Sequence, residues 1–353
     1  MSVASATATE GAPGSGDPAA GELARRLGEL LAPGAADPAE HVRDLQRLTG
    51  GASRETWAFD LVGPDGSVEP LILRRDPPGS ERPGGMANEA AALAAAARAG
   101  VPEPRLVHHS DDPAVLGSPF MVVERLEGET IARRILRDAP FAGARGRLAR
   151  QCGEILARIH AIPIAEVPGL PLVDPLAGCR DGLLALEEPH PVLDLGMRWL
   201  EHHRPPDPAR TTVVHGDFRN GNLVVDEDGV RGVLDWEIVH LGDPAEDLGW
   251  MCVKAWRFGA PEPVGGFGPY EALLEGYRSA GGADIDLDTV RWWEALGTLR
   301  WGLGCISQAR RHLDGSVRSV ELAAIGRRAC EQELDLLAII RSWGAANDGG
   351  APR

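Results

Sequence analysis

Residues 213–237 read VVHGDFRNGNLVVDEDGVRGVLDWE, and they set Asp217, Asn222 and Asp235 around one short hairpin. Val213 and Val214 predict a short strand running into His215, after which Gly216 lets the chain bend tightly at Asp217. Asn222 follows five residues later. Residues 223–225 and 230–234 read as two β-rich runs joined by the turn Asp226-Glu227-Asp228-Gly229, which folds Asp235 back beside Asn222. Three oxygen-bearing side chains are thereby expected to converge, the arrangement of a metal–nucleotide site.

Phosphoryl transfer needs such a set: a carboxylate that orients and deprotonates the acceptor hydroxyl, and oxygen ligands that hold Mg²⁺ against the phosphates. Mg²⁺ takes one or two carboxylates besides phosphate and water, so one Asn and one Asp suffice as protein ligands. The Asp-x-x-x-x-Asn spacing, with a further Asp one hairpin later, resembles the protein-kinase catalytic loop and its metal-binding aspartate, written here HGD and DWE. With Leu241-Gly242-Asp243-Pro244 and Asp247-Leu248 downstream, the chain resembles the aminoglycoside phosphotransferase and choline kinase-like family of small-molecule kinases over most of its length. That resemblance implies Asp217 as catalytic base, Asn222 and Asp235 as Mg²⁺ ligands, and Arg219 at the place where many protein kinases carry a lysine facing the γ-phosphate. Glu237 is a further candidate beside the metal. The competing readings are an Asp-rich hairpin in a β-meander and a non-catalytic, nucleotide-binding pseudokinase that serves as a regulatory module. His215 is expected to pack and shape the loop, and Asp247 to accept hydrogen bonds from catalytic-loop backbone.

Composition agrees with two lobes. The chain has 353 residues, 43% of them hydrophobic, with nine Trp, enough for an ample interior. A formal charge of −16 disfavours nucleic acid and anionic membrane as partners. Five cysteines at irregular spacing, with no CxxC pair, read as buried small residues rather than zinc or redox sites. The first cationic residue is Arg25 and no apolar run approaches a membrane span, so a cytoplasmic location is expected. Among 36 basic residues the only lysine is Lys254, so the phosphate site of the first lobe must use arginine.

Residues 1–20 are small and polar and read as a disordered tail, followed by a short amphipathic helix over 21–31. Strands over 42–48 and 55–62 flank Thr49-Gly50-Gly51-Ala52-Ser53-Arg54, a turn whose backbone N–H groups can approach phosphates, and the resemblance places Ser53 at its tip. Leu71-Ile72-Leu73-Arg74-Arg75 is a strand ending in two guanidinium groups, where a kinase carries its phosphate-binding lysine. An arginine serves there because its planar fork binds phosphate and carboxylate bidentately. Arg74 is preferred on the family's alignment, with Arg75, pointing to the opposite face, as the alternative. Glu89, the single acid of the Ala-rich helix over 86–98, is its expected partner. Residues 119–123 lead as an apolar strand into the expected hinge, where the resemblance has backbone groups of Glu124 and Leu126 bond the adenine.

In the second lobe, residues 147–160 place Leu148, Cys152, Ile155, Leu156 and Ile159 on one buried helical face. In the helix over 289–311, Trp292, Leu296, Leu299, Leu303 and Ile306 share the core face, and Trp293, Gly297, Arg300, Gly304, Ser307 and Arg311 form a neighbouring stripe. That stripe is either packing with a solvated Arg edge or a wall of the acceptor pocket. The reading is therefore an α+β, two-lobed protein-kinase-like fold with a small β-rich N-lobe at 21–126, a larger helical C-lobe at 127–345 and a tail at 346–353. Its expected reaction moves the γ-phosphoryl of ATP or GTP to a hydroxyl of a small molecule, aminoglycoside-like, or alternatively a hydroxyacyl-CoA or other metabolite. Oligomeric state is not legible.

Overall fold

The computed structural model describes residues 18–48, 54–77 and 85–348. Along the chain come helix α1 (Pro18–Leu31), strands β1 (Val42–Arg47), β2 (Glu55–Val62) and β3 (Val68–Arg75), and α2 (Gly85–Arg98). Next are β4 (Leu106–Ser110), α3 (Pro113–Leu116), β5 (Phe120–Glu124), α4 (Ala132–Arg137) and α5 (Ala142–His160). Then follow α6 (Pro175–Leu184), α7 (Pro191–His202), β6 (Thr212–Val214), β7 (Leu223–Val225), β8 (Val230–Val233) and β9 (His240–Gly242). The chain closes with α8 (Ala245–Cys252), α9 (Tyr270–Ser279), α10 (Leu287–Leu313), α11 (Val320–Gly326) and α12 (Ala329–Asp348). Helix α1 thus starts three residues ahead of the expected 21, and α12 runs past 345 into the stretch expected as a tail.

Two compact units result. The first comprises the described part of Met1–Gln151 together with Ala161–Leu170 and Gly221–Val239; the second comprises Cys152–His160, Pro171–Asn220 and the described part of His240–Arg353. The first unit is built on a five-stranded antiparallel sheet of order β1-β2-β3-β5-β4. Strand alternation divides its side chains between two faces. Trp57, Phe59, Leu71, Leu73, Phe120 and Val122 pack under Leu23 and Leu27 of α1 in one core. Their neighbours Ala58, Ile72, Met121 and Val123 line a cavity on the other face. Alternation also sorts the two arginines at the end of β3. Arg74 shares the cavity face with Ile72, and Arg75 points with Leu71 and Leu73, where it donates to Glu55 (2.6 Å) and to the Leu116 carbonyl (3.2 Å). The β7–β8 hairpin belongs to this unit, with Leu223 opposite Val233.

The second unit is helical. Helix α10 is capped by Asp286, whose side chain accepts the Thr289 N–H, and it is buried on nearly every side over its first half. Trp292, Leu296 and Leu299 meet Leu193, Met197 and Leu200 of α7 and Leu336 of α12, as the expected core face requires. Trp293 and Gly297 of the neighbouring stripe are packing as well. A Cβ on Gly249 of α8 would lie 2.3 Å from the Trp293 Cβ, and one on Gly297 would lie 2.7 Å from Val253, so glycine on both helices permits the close crossing of α8 and α10.

Candidate functional site

The hairpin does to Asn222 and Asp235 what their sequence positions imply. Leu234 donates its N–H to the Asn222 carbonyl at 2.8 Å, which closes the base of β7 and β8 and sets the two residues side by side. Asp235 takes a left-handed backbone, φ +68°, a conformation that Asp tolerates better than most residues and that clusters at functional sites.

Asn222 and Asp235 line the same cavity as Arg74, Glu89, Glu124 and Leu126, all within the first unit. The cavity measures 250 Å³, walled on the sheet side by Ala58, Ile72, Met121 and Val123 and on the hairpin side by Val224, Val233 and Trp236. Its polar end is an ion-pair chain. One nitrogen of the Arg74 fork donates to Glu89 at 2.5 Å and the other to Asp235 at 2.7 Å. Glu89 also receives Arg54, which in turn donates to Asp76 at 2.9 Å, and Arg54, Asp76 and Glu89 are all buried. Burial works against the Arg74 charge, but Glu89, Asp235 and Glu237 outweigh it and hold the guanidinium above its ordinary value. At the apolar end, the Glu124 N–H goes to the Arg105 carbonyl and the Arg125 N–H to the Pro70 carbonyl, both at 2.9 Å, whereas the Leu126 N–H has no acceptor among the described residues.

Arg54 was not singled out in the sequence as a member of this chain. Strand alternation carries the signal, because Arg54, Thr56 and Ala58 fall on the cavity side of β2 and Thr56 pairs with Arg74 across the ladder. Ser53, the residue expected at the tip of the preceding turn, lies outside the described residues.

One acid near the cavity is unexpected. Glu103 sits between Pro102, whose carbonyl accepts the Val233 N–H, and Pro104, which lines the cavity. Its Oε2 is buried with no hydrogen-bond partner among the described residues, and burial pushes its carboxyl up to about 8. A carboxyl raised above its ordinary 4.5 contributes stability in full below that value and loses it as pH rises through about 8. Glu103→Gln stays neutral, so its melting temperature is expected to gain on the wild type between pH 6 and pH 9. A difference that does not change with pH would refute this account.

Asp217 and Arg219 lie in the second unit. Gly216 has φ +80°, the tight bend expected before Asp217. The loop hangs on Asp247, fully buried at the start of α8, which accepts the N–H of His215 (2.8 Å) and of Gly216 (2.9 Å) as well as the His160 ring (3.1 Å). Burial would raise the Asp247 carboxyl, but the hydrogen bonds it accepts from the His160 ring and the His215 backbone N–H hold it below the usual value. His215 is fully buried, and its Nδ1 accepts the Asp217 N–H at 3.2 Å, a loop-shaping role. The Asp217 carboxylate has Arg219 Nε at 3.1 and 3.2 Å from its two oxygens and the Trp250 indole N–H at 2.8 Å from Oδ1. Arg219 stacks 4.6 Å above the Trp256 ring, and Arg300 stacks 4.5 Å above that of Trp250. Arg300 also donates to Glu246 (2.8 Å) and to the Gly216 carbonyl (2.9 Å), so this member of the stripe is a brace for the loop. Trp250 is a second residue that sequence reading passed over; no local pattern marks an indole that bonds a carboxylate 33 positions away.

As a metal site the cavity end offers one amide and one carboxylate oxygen set, Asn222 and Asp235, which suits Mg²⁺ completed by phosphates and water. Among the described residues no group of three or more His, Cys, Asp or Glu forms an all-protein cage, and no helix is long and apolar enough to cross a membrane.

One family model covers more than half of the chain, and known proteins are similar to it. The model of the phosphotransferase enzyme family, APH, matches residues 44–293. Mouse acyl-CoA dehydrogenase family member 10 is 27% identical over 280 residues, covering 74% of this chain and 24% of that protein, so the chain spans about a quarter of this curated relative's length. A Ralstonia eutropha protein described as an aminoglycoside phosphotransferase superposes with TM-score 0.67 at 23% identity, covering 90% of this chain and 98% of that one. The GDP and kanamycin complex of APH(2″)-IIIa superposes with TM-score 0.64 at 15% identity, covering 87% and 97%. At these identities the structures show a shared kinase-like α+β fold.

Proposed function

The chain belongs to the phosphotransferase enzyme family, and from that membership we propose that it moves the γ-phosphoryl group of ATP or GTP to a hydroxyl of a small molecule. The observation that carries the reading is the cavity whose polar end joins Glu89, Arg74 and Asp235 in one ion-pair chain beside Asn222. Asp217 accepts the proton of the acceptor hydroxyl as its oxygen attacks the γ-phosphorus, and the nucleoside diphosphate leaves. Mg²⁺ held by Asn222 and Asp235 would neutralise charge on the phosphates. Arg74 contributes a fixed guanidinium to the phosphates from the sheet side, oriented by Glu89, and Arg219 holds the Asp217 carboxylate and adds positive charge beside it. The Leu126 N–H, with no acceptor among the described residues, and the Glu124 backbone are the groups that would read the base edge.

A second reading of the acceptor, a hydroxyacyl-CoA, is favoured by the match to an acyl-CoA dehydrogenase family member. The pairing of three buried acids in the second unit weighs against their use in binding a polyamine. In the second unit Glu246 is held by Arg300 and His240, Glu294 by Arg257 and Tyr270, and Asp335 by Lys254, which leaves none of these acids to recruit ammonium groups. The test is ADP or GDP release with Mg²⁺ across aminoglycosides, macrolides, choline-like alcohols and hydroxyacyl-CoA thioesters. Release is expected to depend on one acceptor class. Tight Mg-nucleotide binding without turnover on any acceptor would favour a pseudokinase, and absence of nucleotide binding would remove the assignment.

A further inference from the structure

We propose that Trp250 is a positioning residue for the Asp217 carboxylate and that Arg300 holds the indole in place. The inference rests on reading Asp217 as the base. A carboxylate at a tight bend turns readily about its last torsion, whose preference is broad and two-fold. Arg219 restrains that torsion only through one N–H shared between both oxygens, at 3.1 and 3.2 Å. The indole N–H fixes it, because it meets Oδ1 alone, at 2.8 Å. It suits the task chemically: an indole nitrogen is a donor only and carries no charge, so it orients the carboxylate without competing for the proton.

Trp250 can hold that line only if its own ring is fixed, and three features fix it. It is 5% exposed and packs with Val253, Ala255 and Trp256. The Arg300 guanidinium covers its face at 4.5 Å and is tied on one side to Glu246 and on the other to the carbonyl of Gly216, the residue before Asp217. Finally, Gly297 leaves room for the indole where α8 crosses α10, since a Cβ there would lie 3.0 Å from the Trp250 Cε3. One side chain of α10 thus sets both the ring that orients the carboxylate and the backbone that carries it.

Trp250→Phe keeps a ring for Arg300 to stack on and removes the donor together with one ring's volume, so its melting temperature is measured alongside. With the acceptor that turns over in the panel above, kcat is expected to fall about 10- to 100-fold, the scale of a displaced catalytic group, with KM for the Mg-nucleotide unchanged. A merely structural Trp250 would move both constants or lower the melting temperature alone. An acceptor-independent arm reads the bond itself: with ¹⁵N-indole labelling, the Trp250 resonance, identified by its loss in Trp250→Phe, is expected to shift upfield in Asp217→Asn while the other indoles stay put. An unchanged kcat in Trp250→Phe, or an indole resonance indifferent to Asp217→Asn, would overturn the proposal. Full turnover by Asp217→Asn would instead sink the base assignment, with the indole bond still decided by its resonance.

Discussion

Asp217→Asn is expected to lose roughly 10²- to 10⁴-fold in kcat, the contribution of a positioned general base, while binding Mg-nucleotide as tightly as the wild type. The separation follows from where the groups sit. Arg74, Glu89, Asn222 and Asp235, with the apolar walls, all line a cavity in the first unit, and Asp217 lies in the second. The amide keeps the shape of the side chain and meets Arg219 and Trp250 through its oxygen only by weaker, neutral bonds, while the loop, which hangs on Asp247 rather than on Asp217, should hold its fold. Titration calorimetry with Mg-ADP and Mg-GDP, beside steady-state turnover, checks both halves. Loss of nucleotide binding together with turnover would mean that Asp217 acts on the nucleotide and not on the acceptor.

What the sequence made legible was local. The β7–β8 hairpin, the bend at Gly216 and the helix faces of α5 and α10 follow from turn residues and periodicity, which act over a few positions. Alternation along β3 also separates Arg74 from Arg75, although it does not by itself say which face holds the cavity; that depends on α1 covering the face of Leu71 and Leu73.

What stayed hidden depends on how elements pack. The stripe on α10 read as a possible pocket wall because periodicity finds a face without telling what covers it, and at Trp293 and Gly297 the cover is Gly249 and Trp250 of α8. Arg54 was overlooked as part of a small-residue turn, though it is buried and shared between Asp76 and Glu89. Spacing singles out Asp217, Asn222 and Asp235 as candidates, whereas Trp250 and Arg300 reach the loop from helices placed by tertiary structure. The acceptor is the least legible element, since it is read by pocket shape.

Arg74→Met is expected to weaken Mg-nucleotide binding about 10- to 100-fold, the worth of one or two hydrogen bonds to a charged group, and Arg75→Met to leave it unchanged. The two arginines adjoin in sequence but face opposite sides of β3: Arg75 is spent on Glu55 and the Leu116 carbonyl, and Arg74 lines the cavity. Arg74→Lys should fall between wild type and Arg74→Met, because the fork reaches Glu89 with one nitrogen and Asp235 with the other, whereas an ammonium is a single point of charge. Arg54→Met separates ligand binding from folding within the same network. Removing Arg74 leaves Glu89 still paired with Arg54, but removing Arg54 strips the cation from Asp76, which is 0% exposed. Breaking a buried pair in that way costs about 3–5 kcal/mol, so Arg54→Met should show its main effect in denaturant unfolding and Arg74→Met in nucleotide affinity. Were Arg75→Met the variant that lost the nucleotide, the phosphate-binding role would pass to the other face of the strand and the cavity would not be the nucleotide site.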